Sequence, residues 1–371
     1  MSFRPKKSTL KDVAAQAGVS TATVARVLHN NGYVADGTRR RVEVVLTETA
    51  YQINAVAQGL RKQRTFTLGH IVQSITPNPF FAGVARGVEE EAARLGCGVV
   101  IYTTQLDPER ERMAVQTLIR RRVDAIIFTK IVCEANVDLA LKAGIPVVQV
   151  ERICSLPAHA VTADNYTGSV AATTHLIALG HRKIAYVGVD PTHPDSMRSR
   201  LPGDVRRGDE ERLAGYCDAL ASHDLPRIET LIELGEHIYD PYWVRASMRK
   251  LLTRPASERP TAIFATFDMF AAGVLQELYA HQLRVPDDIS VIGYDDSFAS
   301  YLTPPLTTVR LPMVEMGEAA ARLAIGALQA EPDGMHPQHE RLLTHLVERE
   351  STAPPQALRQ SEYAASVSGL I

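Results

Sequence analysis

The side chains of this 371-residue chain that could do chemistry fall into three sets. The first is a crowd of cations at the amino end. Residues 1–64 hold eleven Lys and Arg, among them Arg26 and the run Arg39-Arg40-Arg41, against four acids. That segment carries +7, so residues 65–371 carry −9 of a chain total of −2. Clustered guanidinium and ammonium groups pair with phosphate oxygens, and basic charge gathered at one end of an otherwise acidic chain marks a nucleic-acid-binding head on a separate body. The second set is four cysteines, Cys97, Cys133, Cys154 and Cys217, whose scatter gives no metal-ligand spacing and reads as reduced, mostly buried thiols. The third is His175, His181 and His193 with nearby carboxylates, in no spacing that holds a catalytic metal. The sequence has no nucleophile elbow, P-loop or Gly-rich dinucleotide fingerprint. An enzyme is therefore not expected, and neither a cofactor nor a metal site is implied.

The elements that must position the cations are helical. From Thr9 to Leu28 the pattern predicts two short helices broken by Gly18, with Leu10, Val13, Ala14 and Ala17 facing Val24, Val27 and Leu28. Ser20 is placed to cap the second helix through the amide of Thr23. A third helix, about Thr38 to Ala50, carries Val42, Val45 and Leu46 at core spacing. This is a helix-turn-helix, a unit whose second helix enters the DNA major groove. In the next segment, Asn54 to Arg64, Asn54 can cap about two turns of helix, too short to stand alone and weakened by Gly59. Val56 and Leu60 share one face, which suits a helix that pairs with its copy in a minor groove with Leu60 as a wedge; a plain linker is the alternative.

From Thr67 onward, short apolar runs alternate with amphipathic stretches. Runs such as Leu68 to Val72, Asp124 to Phe128, Ile184 to Val189 and Ser290 to Tyr294 are apolar throughout, as in parallel strands covered on both faces. Gly96, Gly144 and Gly180 fall just past helix ends, where a left-handed cap is wanted. There are too many units for one sheet, so two doubly wound subdomains are expected, with a ligand cleft at the carboxyl ends of their strands. No run of 18 apolar residues exists and no apolar signal core follows the basic amino end, so a cytoplasmic protein that does not span a membrane is expected.

Ordered motifs over residues 8–351 resemble the lactose repressor (LacI/GalR) family of bacterial transcription regulators. They include Thr9-Leu10-Lys11-Asp12-Val13-Ala14, Ala17-Gly18-Val19-Ser20, Asn54-Ala55-Val56-Ala57, Asn78-Pro79-Phe80-Phe81, Arg212-Leu213-Ala214-Gly215-Tyr216 and Pro286 to Asp296. The resemblance implies an all-α helix-turn-helix head plus an α/β periplasmic-binding-protein-like body of two doubly wound subdomains. The expected division is a head over 8–53, a hinge over 54–64 and a body over 65–351. Within the body the first subdomain is placed at about 65–163 and 297–325, the second at about 164–296 and 326–351, with a flexible tail from 352 to 371.

The same resemblance implies a homodimeric repressor on a pseudo-palindromic double-stranded operator, controlled by a small-molecule effector, a sugar or sugar derivative. Thr21, Ala22 and Arg26 take the base-facing positions, Arg26 being able to pair bidentately with guanine. Thr9, Ser20, Thr23 and Thr38 take phosphate-anchoring ones. Asn54, Ala57 and Leu60 take the minor-groove hinge. For the effector it implies Phe81, Arg152, Arg212, Asp268 and Asp295. Ala25 and Ala35 stand where the family usually has Ser, and Phe267 where Asn is frequent. The loop Asp190 to Asp209 is longer than the family norm and rich in His and Arg; it is either a solvated loop or a site for an anionic effector. A solute-binding protein of a transport system is the alternative for the body, which the basic head argues against. The tail lacks leucine heptads, so a coiled-coil tetramer is not expected. Leu60→Ala should weaken binding to a selected operator by about tenfold or more, since a wedge is what keeps a base step open. A gel shift showing unchanged affinity would contradict the hinge assignment.

Overall fold

Thr9 opens the first helix with a reciprocal cap: its hydroxyl accepts from the Asp12 amide at 3.3 Å, and the Asp12 carboxylate accepts from the Thr9 amide at 2.8 Å. The structure, a computed structural model, describes residues 8–28, 30–49, 51, 64–76, 78–191, 208–235, 241–329, 336–356 and 358. The chain divides into two units, 1–65 and 66–371. In the first, α1 (Leu10–Ala17) ends at Gly18, whose φ of 64° is a left-handed turn. Ser20 caps α2 (Thr21–Leu28) by accepting from the Thr23 amide at 3.2 Å. α3 (Asp36–Glu48) starts after Ala35, which offers no side-chain cap. The three helices close on Val13, Ala14, Ala17, Val24, Val27, Val42 and Val45, the positions that the spacing predicts. The hinge residues Asn54, Ala57 and Leu60 lie outside the described residues.

The second unit begins with β1 (Thr67–Val72), α4 (Pro79–Arg94), β2 (Gly98–Thr103), α5 (Pro108–Arg120), β3 (Ala125–Thr129), α6 (Glu134–Lys142), β4 (Val147–Val150) and β5 (His159–Ala163). It continues through α7 (Asn165–Ala178), β6 (Ile184–Val189), α8 (Gly208–Ser222), β7 (Ile232–Gly235), α9 (Pro241–Leu252), β8 (Ala262–Ala265), α10 (Asp268–Ala280), β9 (Ser290–Asp295) and β10 (Thr307–Arg310). It closes with α11 (Met313–Ala327), β11 (His339–Leu342) and β12 (His345–Val347). One sheet has the order β11-β5-β4-β3-β1-β2 and is parallel throughout; the other runs β12-β10-β9-β8-β6-β7, with only β12 antiparallel. The first sheet buries Leu68, Ile127 and Val161 under α4 and α11, and Ile71, Ile126 and Phe128 under α5 and α6. The second buries Tyr186, Phe264 and Ile292 under α7 and α8, and Val187, Ile263 and Val291 under α9 and α10. Both lobes are doubly wound, as apolar strands require.

The chain crosses between lobes three times: from β5 to α7, from β10 to α11 and from β11 to β12. This corrects the expected subdomain limits. Residues 297–310 belong to the second lobe, because β10 pairs with β9 in the register Thr307↔Ile292, and the crossing comes at Leu311. Residues 339–342 belong to the first lobe, because β11 pairs with β5 in the register His339↔Ala160. The expected tail from 352 is also fixed at its start. The Thr352 hydroxyl lies 3.0 Å from His175 Nε2, and the Ala353 amide donates to Ser290 Oγ at 3.0 Å. No disulfide joins the four cysteines, and no helix among the described residues is long and apolar enough to cross a membrane.

The longest helix contact in the first lobe depends on two small residues. A methyl group on Gly87 of α4 would collide with the Val314 carbonyl, and one on Gly317 of α11 with the Val84 carbonyl. Backbones this close cannot move apart without opening the core between them. Gly87→Ala is therefore expected to destabilise the protein by about 1–3 kcal/mol, read as a lower melting temperature. An unchanged melt would contradict backbone contact at this crossing.

Candidate functional site

In the head, helical geometry separates two faces of α2. Val24 and Val27 turn into the core, and Thr21, Ala22 and Arg26 are exposed on the other side. Thr9 and Ser20 are also exposed, whereas Thr23 and Thr38 are half-buried. Three of these hydroxyl groups already have partners: Thr9 Oγ1 donates to Asp12 at 2.7 Å, and Ser20 Oγ lies 3.0 Å from Thr23 Oγ1. A basic, outward helix face with short neighbours is what a duplex groove accommodates.

In the body, the carboxyl ends of β8 and β9 meet the first turns of α7 and α8 around one buried guanidinium. Arg212 of α8 is 3% exposed. Its Nε donates to Asn165 Oδ1 at 3.0 Å and its Nη1 to the Thr266 carbonyl at 2.6 Å. The Tyr294 and Phe267 rings stand 4.0 and 4.7 Å from its central carbon, a desolvated cation–π arrangement. The remaining nitrogen, Nη2, is 3.7 Å from Asp295 Oδ1, which is an ion pair too long for a hydrogen bond. Asp295 is 6% exposed, and its carboxylate makes no hydrogen bond among the described residues. Burial pushes its carboxyl well above the ordinary value, against the pull of Arg212. A hydroxyl group beside this pair can accept from Nη2 and donate to the carboxylate, satisfying both at once.

Three other expected effector contacts are placed differently. Asp268 is fully buried at the head of α10, where Oδ1 accepts from the Thr308 hydroxyl and Oδ2 from the Ser297 amide, each at 2.8 Å. Burial raises its carboxyl to about 6, with those hydrogen bonds opposing. Gly293 leaves the space for it, since a Cβ there would lie 2.6 Å from Asp268 Oδ1. Asp268 is thus a brace between β10 and the loop after β9. Arg152 is buried and donates from Nη1 to the Ile131 carbonyl at 2.9 Å, bracing the loop after β3. Phe81 is fully enclosed in the first-lobe core, edge-on to Phe80 with ring centroids 5.4 Å apart. All three are engaged in contacts within the protein.

The structure adds residues that sequence reasoning does not single out. A small open pocket lies between the lobes, lined by Glu151, Thr162, Asn165, Glu211, His339 and Arg341 among others. Asn165 is shared between this wall and the Arg212 cradle. Arg341 Nη2 donates to Asp164 at 3.0 Å and to Glu211 at 3.1 Å, tying the first-lobe strand β11 to the second-lobe helix α8. Burial raises the Glu211 carboxyl, and Arg341 opposes it. Glu151 follows β4 with a φ of 71°. A signal existed for Glu151, which follows an apolar strand at its carboxyl end, where clefts form. None existed for Arg341, whose strand is short and polar. Residues 192–207 of the long loop lie outside the described residues.

Comparison with known proteins agrees with both halves. Residues 9–54 match the lacI family of bacterial regulatory proteins, and residues 173–352 match a periplasmic binding protein-like domain. The chain is 34% identical over 354 residues to the HTH-type transcriptional regulator DegA of Bacillus subtilis (strain 168), covering 94% of this chain and 99% of that one. Among solved structures it is similar to a complex of the transcriptional regulator CelR with cellobiose, with a TM-score of 0.66 and 30% identity over 94% of this chain and 100% of that one. It is also similar to the lac repressor dimer bound to operator and the anti-inducer ONPF, with a TM-score of 0.73 and 26% identity over 94% and 100%.

The Asp268 brace gives a pH signature. A carboxyl raised on folding from 3.8 to about 6 stabilises the folded state fully below 3.8, and that contribution is lost as pH rises through about 6. Asp268→Asn should flatten this part of the melting-temperature profile. Asp268→Ala, which strands the Ser297 amide and the Thr308 hydroxyl, should cost about 1–3 kcal/mol. Identical profiles for wild type and Asp268→Asn would contradict the raised carboxyl.

Proposed function

The chain belongs to the lacI family of bacterial regulatory proteins, a family of transcriptional regulators and not of enzymes, and from that premise we propose a repressor released or engaged by a small polyhydroxylated effector. The observation that carries this reading is the buried Arg212–Asp295 pair, set 3.7 Å apart with no hydrogen bond across it. A desolvated donor and acceptor held apart in a cleft favour a ligand group that is both acceptor and donor, and a sugar hydroxyl is such a group. Asn165 orients the guanidinium, and Arg341 and Glu211 line the mouth. The cellobiose held by a similar regulator supports the same chemical class.

On the DNA side, we assign base contacts to Thr21, Ala22 and Arg26, and phosphate contacts to Thr9, Ser20, Thr23 and Thr38. Arg26 supplies the one strong base contact; the short Thr21 and Ala22 discriminate through methyl groups. A homodimer presents two such heads to a pseudo-palindromic operator, with Asn54, Ala57 and Leu60 at the central minor groove. The effector acts by linkage: preferring one lobe closure, it shifts the population and hence the affinity for DNA.

A thermal-shift screen of sugars, sugar acids, sugar phosphates and nucleobases against the purified protein tests the effector side. A ligand at a hundred times its Kd stabilises by about 2.7 kcal/mol, and the responding class should be hydroxylated rings. Arg212→Gln should abolish the shift. A hit that survives in Arg212→Gln, or no hit in any class, would sink the assignment.

A further inference from the structure

We propose that Asp296 is a positioning residue that holds the backbone elbow aiming the Asp295 carboxylate into the cleft, an inference that rests on the effector reading above. Asp295 has a φ of 110° and Asp296 one of 55°, so two successive non-glycine residues sit in the left-handed region at the end of β9. Such backbone persists only where its surroundings over-determine it. Here they do so from several sides. The Asp296 carboxylate accepts from Arg310 Nε at 2.8 Å through one oxygen, which also lies 2.7 Å from Arg310 Nη2 in an ion pair, and from Arg349 Nη2 at 2.7 Å through the other. Arg349 is itself fixed, donating Nη1 to the Leu306 carbonyl at 2.8 Å and its amide to Thr307 Oγ1 at 2.9 Å. One residue further on, the Ser297 amide is held by Asp268.

The elbow sets the Asp295 carboxylate against Arg212, 3.7 Å from its Nη2. The Asp295 carbonyl accepts from the Leu311 amide at 3.2 Å, which spends its backbone on the crossing to the first lobe. Its carboxylate makes no hydrogen bond among the described residues. The charged groups acting on that carboxylate are Arg212, Asp268, Glu151 and Asp209; Asp296 is not among the main ones. Asp296 therefore acts through geometry. Without its two arginine partners, Asp295 returns to ordinary extended backbone, its side chain swings away from Arg212, and water reaches the carboxylate. Because Arg310 ends β10 immediately before Leu311, the same clamp joins the effector side chain to the segment that connects the lobes.

The test uses the full chain labelled with 13C in its aspartate carboxyl groups, with the Asp295 resonance assigned by its loss in Asp295→Asn. In wild type the Asp295 carboxyl should titrate above the ordinary aspartate range. In Asp296→Ala its midpoint should fall by about one pH unit or more, a tenfold change in acidity. Asp296→Asn keeps one acceptor and the tolerance of asparagine for left-handed backbone, so it should fall in between; it also decides the matter if the alanine variant does not fold. D-galactose, D-ribose and cellobiose are titrated in parallel. A sugar that binds wild type should lose about tenfold or more in affinity in Asp296→Ala. A clamp that merely stabilises the lobe would lower the melting temperature and leave the Asp295 midpoint where it is in wild type, and that result would overturn the proposal. If no sugar binds wild type, the sugar reading fails by itself, and the Asp295 midpoint still judges Asp296.

Discussion

The body is organised around one buried guanidinium. Taking an arginine out of water costs several kcal/mol unless its donors are satisfied, and Arg212 meets that requirement with groups from several elements. Asn165 comes from the first turn of α7, the Thr266 carbonyl from the end of β8, and the Tyr294 ring from β9. Each element is thereby fixed relative to α8, and all lie at the carboxyl ends of parallel strands. Nη2 stands 3.7 Å from the Asp295 carboxylate, and no hydrogen bond among the described residues joins the two.

Around that centre the fold distributes braces and joints. Buried Asp268 and half-buried Asp296 are acids whose partners come from β10, the loop after β9 and the strand end near Arg349. Arg341 ties the first lobe to α8 beside the first crossing. Within the first lobe, α4 and α11 are in backbone contact at Gly87 and Gly317. Rigid lobes with contact-limited joints are the kind of two-state element through which a ligand biases a remote site.

The legible parts of the sequence were those where one local rule suffices. Helical spacing with Gly18 and Ser20 defines the head, and all-apolar runs define the buried parallel strands. Elements whose identity depends on distant partners were not legible. β5, β10, β11 and β12 are short and carry His, Thr, Glu or Arg, and they become strands only through sheet neighbours, in β11's case one far away in the chain. The lobe limits went astray for that reason. The structure brings Arg212 and Asp295 to 3.7 Å of each other, but motif position does not reveal what else competes for a side chain. Asp268, Arg152 and Phe81 each found internal partners, and the residues that do line the pocket, Glu151, Glu211 and Arg341, carry no motif.

The central claim is that a ligand hydroxyl completes the Arg212–Asp295 pair. A crystal structure of the protein with a stabilising sugar bound tests it most directly. The account predicts one ligand oxygen within hydrogen-bond distance, about 3 Å, of both Arg212 Nη2 and the Asp295 carboxylate. A sugar bound elsewhere in the cleft, with the pair still 3.7 Å apart and unbridged, would contradict it.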